Sequence, residues 1–222
     1  MKIIYSIILI YIFNIYSIKS IPAFNVSKLK IALKTDQIML VIAESYKSYR
    51  AKFFYYIKNG NIWNEILISD AHIGRDGLGL QSEDDVKSPI GAFKFNKYFG
   101  IEDNPGTHLP YIKLNDSLYW NCDSNSDRYN LMVNIETYTA FNKSISEHLI
   151  DETLAYKYAM NINYNENRIP KKGSAIFLHC YSQRPYTGGC VALPEQNMIK
   201  VFKKINKNAV IIIDVKQNIY NY

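Results

Sequence analysis

The chain contains 222 residues, of which 48% are hydrophobic and 21% are charged, and these values are typical of a globular protein with one domain and a substantial core. Its net charge of +6 would suit a nucleic-acid-binding protein, but the lysines are scattered and form no basic stripe or recognition motif. We therefore expect no nucleic acid partner, and the mild positive charge is equally compatible with an anionic polymer.

The N-terminus has the pattern of a targeting segment. Lys2 precedes an apolar run over residues 3–18, and Lys19 follows it. A short positive region before an apolar stretch of this length predicts a secretory signal peptide, and the run is a little short for a membrane span. We assign residues 1–23 to a signal peptide, with an uncleaved N-terminal anchor as the alternative, and residues 24–222 to a single exported domain.

Apolar and β-branched runs predict a mainly β fold. The first strand is expected at Gln37–Ala43. Residues 51–58 and 61–68 flank Asn59-Gly60, and this turn signal between two apolar segments predicts a β-hairpin. Residues 209–214 are apolar except for the last, which indicates a buried strand.

One loop and two helices are predicted among the remaining segments. The polar residues of 116–130 predict an exposed loop. Ser144 and Glu147 have the spacing of a capping box, which predicts a helix that runs to about Met160. Pro194 suits the first turn of a second helix, whose apolar face would be formed by Met198, Ile199, Phe202 and Ile205.

A histidine and a cysteine are the strongest candidates for catalysis. His179 follows an apolar run, and Cys190 comes eleven positions later, after Thr187-Gly188-Gly189. A cysteine attacks only as thiolate and needs a nearby base, for which histidine is the commonest side chain. The two glycines allow close approach of a substrate, and the N–H groups of Gly189 and Cys190 are candidates for stabilising an oxyanion.

Other roles for the cysteines remain open on the sequence alone. Cys180 and Cys190 would form a disulfide in many exported proteins, and Cys122 would then be left over. If Cys190 is the reactive thiol, Cys122 and Cys180 either pair with each other or stay free. His179, Cys180 and Cys190 lack the CxxC spacing of metal sites, so we expect neither a metal nor another cofactor.

This region resembles the L,D-transpeptidase catalytic domain family (the YkuD-type fold). The family's motif is a strand with a histidine at its end, a loop, and then [Ser/Thr]-x-Gly-Cys, which His179 and Thr187–Cys190 match. Lys87–Phe93 is similar to the family's Thr-Pro-x-Gly-x-Phe segment, and the likeness extends from about Gln37 to Asp214. The resemblance implies a mainly β fold, a β-sandwich with peripheral helices, in which the cysteine is the nucleophile and the histidine its base.

The resemblance also implies the substrate and the reaction. The family acts on peptidoglycan stem peptides: the cysteine attacks the amide bond before the fourth residue, forms a thioester and passes the acyl group to an acceptor amine. The protein would then be periplasmic or cell-wall-facing, with membrane contact only through a retained N-terminal segment. An L,D-carboxypeptidase that uses water as acceptor is one alternative, and a non-catalytic cell-wall-binding protein is an alternative of another class.

The motif departs from the commonest family pattern at two positions. Gly188 stands where that pattern has histidine, and Ala192 stands where it has arginine or asparagine, which indicates a divergent branch. We assign substrate binding to Thr187, Gly188, Arg184 and Tyr186; alternatively, Thr187 bonds the loop to itself and Arg184 is solvated. The resemblance implies that a backbone carbonyl near Thr187 orients the histidine.

Overall fold

A computed structural model describes residues 24–222 and shows a mainly β protein. The strands in this part of the chain are β1 (Gln37–Ala43), β2 (Arg50–Asn59), β3 (Ile62–His72), β4 (Gly91–Gly100), β5 (Tyr111–Lys113), β6 (Leu118–Asn121), β7 (Leu131–Asn134), β8 (Glu147–His148), β9 (Ala159–Ile162), β10 (Phe177–Cys180), β11 (Val191–Leu193) and β12 (Val210–Val215). An α-helix, α1 (Glu195–Lys204), follows β11. Short 3₁₀ helices lie at Val26–Lys28, Lys30–Leu33, Lys143–Ile145, Ala155–Lys157 and Lys216–Asn221.

Nine strands form one sheet that closes on itself. Their order is β12-β1-β2-β3-β11-β10-β9-β4-β5, and β12 also pairs with the first half of β4, so that the sheet curls until its strands meet. The mainly β prediction is confirmed, and both layers of the predicted sandwich belong to this single curled sheet. A second sheet, of order β7-β6-β8, packs over part of the outer face.

The interior of the closed sheet holds the main hydrophobic core. Side chains alternate between the two faces of a strand, so Met39 and Val41 of β1 share the interior with Ile211 and Ile213 of β12. The intervening residues of both strands point outward and pack against the 3₁₀ helices at Val26–Lys28 and Lys30–Leu33. Because these strands are buried on both faces, they appear as continuous apolar runs in the sequence.

The predicted first strand, hairpin and last strand are confirmed as β1, β2–β3 and β12. In the hairpin, Asn59 pairs with Ile62 across a two-residue loop. Gly60 has φ +58° in this loop, a left-handed conformation that favours glycine. The Asn-Gly signal therefore located the turn to within one residue.

The predicted exposed loop at residues 116–130 is wrong over much of its length. Residues Leu118–Asn121 form β6, the central strand of the small sheet, and Trp120 is only 2% exposed. Asn130 is buried as well: it accepts a hydrogen bond from the Trp120 indole N–H (2.9 Å) and donates to the carbonyls of residues 164 and 165. Buried polar groups that find partners in this way belong to the core, which composition alone does not reveal.

The predicted helix from Ser144 to Met160 is also wrong. Asn142 accepts the capping hydrogen bond, 3.0 Å from the Ser144 N–H, and a 3₁₀ turn of three residues follows. Glu147 does not reach back to a helix N-terminus, because it lies on β8 and its carboxylate accepts a hydrogen bond from Tyr156. Pairing of β8 with β6 therefore overrides the local capping signal.

The second predicted helix is confirmed as α1, which begins directly after Pro194. Of its predicted apolar face, Met198, Phe202 and Ile205 are buried and Ile199 is only half-buried. Val201, which was not predicted to belong to this face, is fully buried. Within residues 24–222, no helix is long and apolar enough to cross a membrane. The predicted signal peptide at residues 1–23 lies outside the described residues.

Candidate active site

Neighbouring strands place His179 and Cys190 on the same face of the large sheet. β10 and β11 are parallel with His179 opposite Ala192, so Cys190 lies level with Phe177, two residues before the histidine. Residues two apart along a strand share a face, and Phe177 and Cys190 belong to one hydrophobic cluster outside the closed sheet. The predicted nucleophile and base are therefore diagonal neighbours, and both line the same cavity.

The Cys190 thiol is buried and held by the backbone of a neighbouring segment. It donates to the Ala175 carbonyl (3.2 Å) and accepts from the Phe177 N–H (3.3 Å). Burial raises the pKa of this thiol, and the nearby carboxylate of Glu147 raises it further. The thiol is therefore protonated at neutral pH in this conformation.

All three cysteines of the chain lie in the described part and are free thiols, which removes the Cys180–Cys190 disulfide as an alternative. Cys180 points into the interior of the closed sheet, whereas Cys190 lies on its outer face. Cys122 is half-buried and lines the same cavity as Cys190. Burial raises the pKa of Cys122 and of Cys180 to about 12, so these two thiols are also protonated at neutral pH.

The His179 ring is oriented by its own strand. Nδ1 lies 2.6 Å from the Cys180 carbonyl oxygen, and because a carbonyl only accepts, Nδ1 carries the proton and Nε2 is the basic nitrogen. The orienting carbonyl thus belongs to Cys180 and not to the segment near Thr187 that the resemblance implied. The Tyr156 ring packs edge-on against the imidazole, and burial lowers the pKa of His179 to about 4.

The thiol and the imidazole form a neutral resting pair. Among the described hydrogen bonds, those of the Cys190 thiol go to Ala175 and Phe177, and that of the His179 ring goes to Cys180. Transfer of the thiol proton to Nε2 therefore requires the thiol to leave the Ala175 carbonyl and turn toward the imidazole. Catalytic hydrogen bonds of this kind often tighten only when substrate is bound.

Thr187 fastens the loop that carries the cysteine. Its hydroxyl donates to the Cys190 carbonyl (2.7 Å) and accepts from the Gly189 N–H (3.2 Å). The loop therefore bonds to itself through Thr187, as in the alternative interpretation of this residue. The oxyanion role of the Gly189 and Cys190 N–H groups stays a prediction, and it requires a substrate oxygen to replace Thr187 as the acceptor for Gly189.

Sequence reasoning missed Ser88, which braces the same loop from the other side. Ser88 is fully buried, accepts from the Gly74 N–H (2.9 Å), and shares its own proton between the carbonyls of Gly189 (2.7 Å) and Cys190 (3.0 Å). The available signal was the likeness of Lys87–Phe93 to a family segment. Ser88 holds the backbone of the loop that carries the cysteine and is absent from the lining of the cavity.

The two glycines before Cys190 differ in what their surroundings allow. A Cβ on Gly189 would lie 2.9 Å from the Lys87 carbonyl oxygen, so this close approach requires glycine. A Cβ on Gly188 would meet nothing within 4 Å, and Gly188 is exposed. The space that the common family pattern fills with histidine is therefore open.

The loop before Thr187 carries two of the predicted substrate-binding residues. Arg184 is exposed and lines the cavity, as both the donor-binding and the solvated interpretation require. Tyr186 is half-buried and packs edge-on against Tyr49, with 6.3 Å between the ring centroids. The substrate-binding roles of Arg184 and Tyr186 stay predictions.

A cavity of about 820 Å³ brings all the predicted site residues together. The predicted residues in its lining are Cys190, His179, Gly189, Thr187, Gly188, Arg184 and Tyr186. A volume of this size accommodates a short peptide. Within residues 24–222, no group of three or more His, Cys, Asp or Glu side chains is arranged to hold a metal ion.

Four further residues near the cysteine were not identified from the sequence. Asn130 accepts from the Ala175 N–H (3.2 Å) and so supports the residue whose carbonyl holds the thiol. Ala175 has φ +53°, a left-handed conformation that residues other than glycine adopt only where their surroundings hold them. Tyr156, beside His179, donates to the Glu147 carboxylate at 2.5 Å. The family resemblance from about Gln37 to Asp214, which includes Glu147, was the available signal for this residue.

Alkylation of Cys190 by iodoacetamide is expected to rise about tenfold per pH unit from neutral to moderately alkaline pH. Only the thiolate reacts, and burial raises the pKa of this thiol, so the thiolate fraction keeps growing as pH rises. Peptide mapping by mass spectrometry at each pH measures the rate, with Cys122 in the same digest as an internal control. A rate that is already constant at weakly acidic pH would show a preformed thiolate–imidazolium pair and contradict the neutral pair.

Comparison with solved structures gives matches at low sequence identity that cover most of this chain. Bd1075 of Bdellovibrio bacteriovorus is 19% identical with a TM-score of 0.43, and the match covers 83% of this chain and 50% of that one. The helical cell shape determining protein Pgp2 of Campylobacter jejuni is 14% identical with a TM-score of 0.43 and the same coverage of 83% and 50%. L,D-transpeptidase 1 of Mycobacterium tuberculosis is 15% identical with a TM-score of 0.35, and the match covers 80% and 62%.

The present chain therefore spans about half the length of the first two of these proteins (50% of each). No curated protein sequence matches the chain at a significant level. The model of the L,D-transpeptidase catalytic domain (YkuD) matches residues 42–213, which is most of the chain and includes both His179 and Cys190. The chain therefore belongs to the L,D-transpeptidase catalytic domain family.

Proposed function

We propose that this protein is an exported L,D-transpeptidase, a cysteine acyltransferase that acts on peptidoglycan stem peptides. The proposal is carried by one observation: Cys190 and His179 are diagonal neighbours on the wall of a peptide-sized cavity, in a chain of this family. The neutral state of the pair, the loop around it and the open space at Gly188 determine how the proposed reaction would proceed.

In the donor half-reaction, Cys190 Sγ attacks the carbonyl carbon of the amide bond between the third and fourth residues of the stem. The thiol proton passes to His179 Nε2, and His179 then returns a proton to the departing D-alanine amine as the C–N bond breaks. A thioester remains on Cys190. The N–H groups of Gly189 and Cys190 stabilise the oxyanion once the substrate oxygen displaces the Thr187 hydroxyl from Gly189.

Burial makes the neutral form of the pair the ground state. It raises the pKa of the Cys190 thiol and lowers the pKa of the His179 imidazole, so no buried ion pair has to be maintained before substrate arrives. Charge separation then develops only during attack on the carbonyl. The Ala175 carbonyl holds the thiol until that point, which keeps it protonated between turnovers.

The direct test is to incubate the purified protein with a tetrapeptide stem and to measure its intact mass. We expect a mass increase equal to the tripeptide acyl group, mapped to Cys190, together with release of D-alanine. Addition of an acceptor amine then distinguishes the alternatives, because a transpeptidase yields an amide and an L,D-carboxypeptidase yields only the free tripeptide. Retention on sacculi without either adduct or released D-alanine would identify a non-catalytic wall-binding protein.

Export is part of the proposal and rests on residues 1–23 together with the location of peptidoglycan outside the cytoplasm. Fractionation of cells that express the full chain tests it. We expect the protein outside the cytoplasmic fraction, and a variant without residues 1–23 inside it. Retention of the full chain in the cytoplasm would remove the export proposal while leaving the chemistry of Cys190 in place.

Arg184→Ala is expected to reduce donor use, measured as kcat/KM for thioester formation, by about 10-fold to 100-fold. A charge-assisted hydrogen bond from arginine to a stem carboxylate contributes about 1.5–3 kcal/mol. Arg128→Ala is the matched control, because Arg128 is exposed and lies outside the lining of the cavity.

Iodoacetamide labelling of Cys190 in the Arg184 variant separates binding from reactivity. Labelling should stay at the wild-type rate, since the small reagent needs no carboxylate clamp. An equal fall in labelling and in donor use would show that Arg184 supports the fold or the thiolate. Unchanged kinetics in both assays would leave Arg184 as a solvated loop residue.

A further inference from the structure

The cavity is acidic although the chain is basic. The whole chain carries a net charge of +6, yet five carboxylate side chains line the cavity against two arginines. The carboxylates are those of Glu83, Asp85, Glu147, Asp151 and Glu152, and the arginines are Arg75 and Arg184. Such a distribution attracts a cationic group from solvent.

Three of these carboxylates come from one short segment that begins at β8. Glu147 lies on the strand and is half-buried, whereas Asp151 and Glu152 are exposed at the rim of the cavity. Asp151 is paired with His148 of the same segment, at 3.0 Å from Nδ1. Both arginines belong to the other side of the site, because the Arg75 N–H donates to the Thr187 carbonyl and Arg184 precedes that residue in the loop. The segment that begins at β8 thus forms an acidic part of the lining, and the loop that carries Arg184 forms a separate part; the Arg75 guanidinium is paired with Asp76.

Glu147 differs from the other carboxylates in its surroundings. It accepts the hydroxyl proton of Tyr156, whose ring packs against His179 and Phe177. Burial raises the pKa of Glu147 to about 7, and the nearby Glu152 and Glu83 carboxylates add to the increase. A carboxylate with this pKa exchanges protons readily at neutral pH. Its charge also reaches the nucleophile, since it contributes to the raised pKa of Cys190.

The donor half-reaction uses Cys190 and His179 and leaves one requirement unmet. An acceptor amine arrives from solvent as an ammonium ion, which has no lone pair for attack. His179 Nε2 returns one of the nitrogen protons to the Cys190 sulfur as the thioester breaks, so a different group has to accept the other proton. A carboxylate on the cavity wall both attracts the cation and accepts its proton.

We propose that Glu147, held by Tyr156, is the base that deprotonates the acceptor ammonium, and that Glu147, Asp151 and Glu152 form the subsite for a cationic acceptor. This inference rests on the proposed function and adds to it a catalytic carboxylate and a binding position for the acceptor amine. It also assigns the two parts of the cavity different substrates: the donor stem lies against the arginine side, and the acceptor lies against the segment that begins at β8.

The acceptor ammonium gives one proton to the Glu147 carboxylate, and the resulting amine attacks the thioester carbonyl of acylated Cys190. The new C–N bond forms and the C–S bond breaks, with the sulfur leaving as thiolate. The second proton on nitrogen passes to His179 Nε2 and from there to the Cys190 sulfur, while protonated Glu147 releases its proton to water.

The test compares two acceptors that differ only in whether they need a base. Nα-acetyl-lysinamide carries an ammonium with a pKa of about 10.4, whereas hydroxylamine is largely unprotonated at neutral pH. Wild-type protein and Glu147→Gln are each given the tetrapeptide donor with one of the two acceptors. The measured quantities are thioester formation by intact mass and the ratio of amide to hydrolysed tripeptide by chromatography.

Glu147→Gln should still form the thioester, and its amide-to-acid ratio with acetyl-lysinamide should fall by about 10²-fold, as expected for loss of a general base. The ratio with hydroxylamine should not fall. Glu152→Gln removes a charge at the rim but no base, so it should raise the concentration of acetyl-lysinamide that is needed for half-maximal amide formation. Glu136→Gln is the matched control, because Glu136 is exposed and lies outside the cavity lining.

Three results would overturn the inference. They are an unchanged ratio with acetyl-lysinamide in Glu147→Gln, an equal fall with both acceptors, and a wild-type protein that forms the thioester but only hydrolyses it. The last result would leave the donor chemistry standing, whereas a wild-type protein that forms no thioester would remove the proposed function itself. If Glu147→Gln does not fold, Glu147→Asp provides the same comparison, because its shorter carboxylate should impair use of acetyl-lysinamide but not of hydroxylamine.

Discussion

Replacement of Cys190 with alanine is expected to abolish thioester formation and D-alanine release from the tetrapeptide stem. No other described thiol is both in the cavity and beside His179, because Cys180 points into the interior of the closed sheet. Cys122 does line the cavity, so Cys122→Ala is the matched control and should retain the wild-type rate. Intact mass spectrometry measures the adduct, and chromatography measures released D-alanine.

The fold of the Cys190 variant should survive, since alanine is small and the thiol makes only two weak hydrogen bonds, to the Ala175 carbonyl and from the Phe177 N–H. A thermal midpoint close to that of the wild type would establish this. Adduct formation in Cys190→Ala, or its loss in Cys122→Ala with an intact fold, would mean that another thiol is the nucleophile.

Replacement of His179 with alanine is expected to slow thioester formation by about 10²–10⁴-fold, the usual cost of losing a general base. The imidazole is held with Nδ1 on the Cys180 carbonyl, which leaves Nε2 as the base for the thiol proton. His72→Ala is the matched control, because His72 pairs with Ala192 from the other side of β11 and lies outside the lining of the active-site cavity.

Single-turnover mass spectrometry at neutral pH measures the rate of acylation in both histidine variants. A wild-type rate in His179→Ala would show that another group takes the thiol proton, and Glu147 would then be the first candidate. A large loss in His72→Ala would point to disturbance of the sheet around β11 rather than to loss of a base.

The strands and the catalytic pair could be predicted because their signals are local. Gln37–Ala43 is a continuous apolar run, Asn59-Gly60 marks a tight turn, and His179 and Cys190 flank one short loop. Each of these patterns follows from the backbone conformation or the chemistry of a few adjacent residues. The family resemblance then assigned roles to the pair that spacing alone leaves undetermined.

Residues 116–160 could not be predicted in the same way because their structure depends on distant partners. Trp120 and Asn130 are buried by contacts with each other and with Ala175, far along the chain. Pairing between β8 and β6 replaces the helix that the capping signal at Ser144 predicts. Glu147 acquires its raised pKa only in that tertiary setting, so its chemistry is invisible in a sequence motif.

The position of the last strand has a consequence for the order of events during biosynthesis. β12 lies between β1 and β4, and Ile38 pairs with Val210, so the large sheet cannot close until Val210 and the rest of β12 have left the ribosome. Contacts between such distant residues also make folding slow. For a chain exported as we propose, this delay would keep the nascent polypeptide sufficiently unfolded for translocation across the membrane.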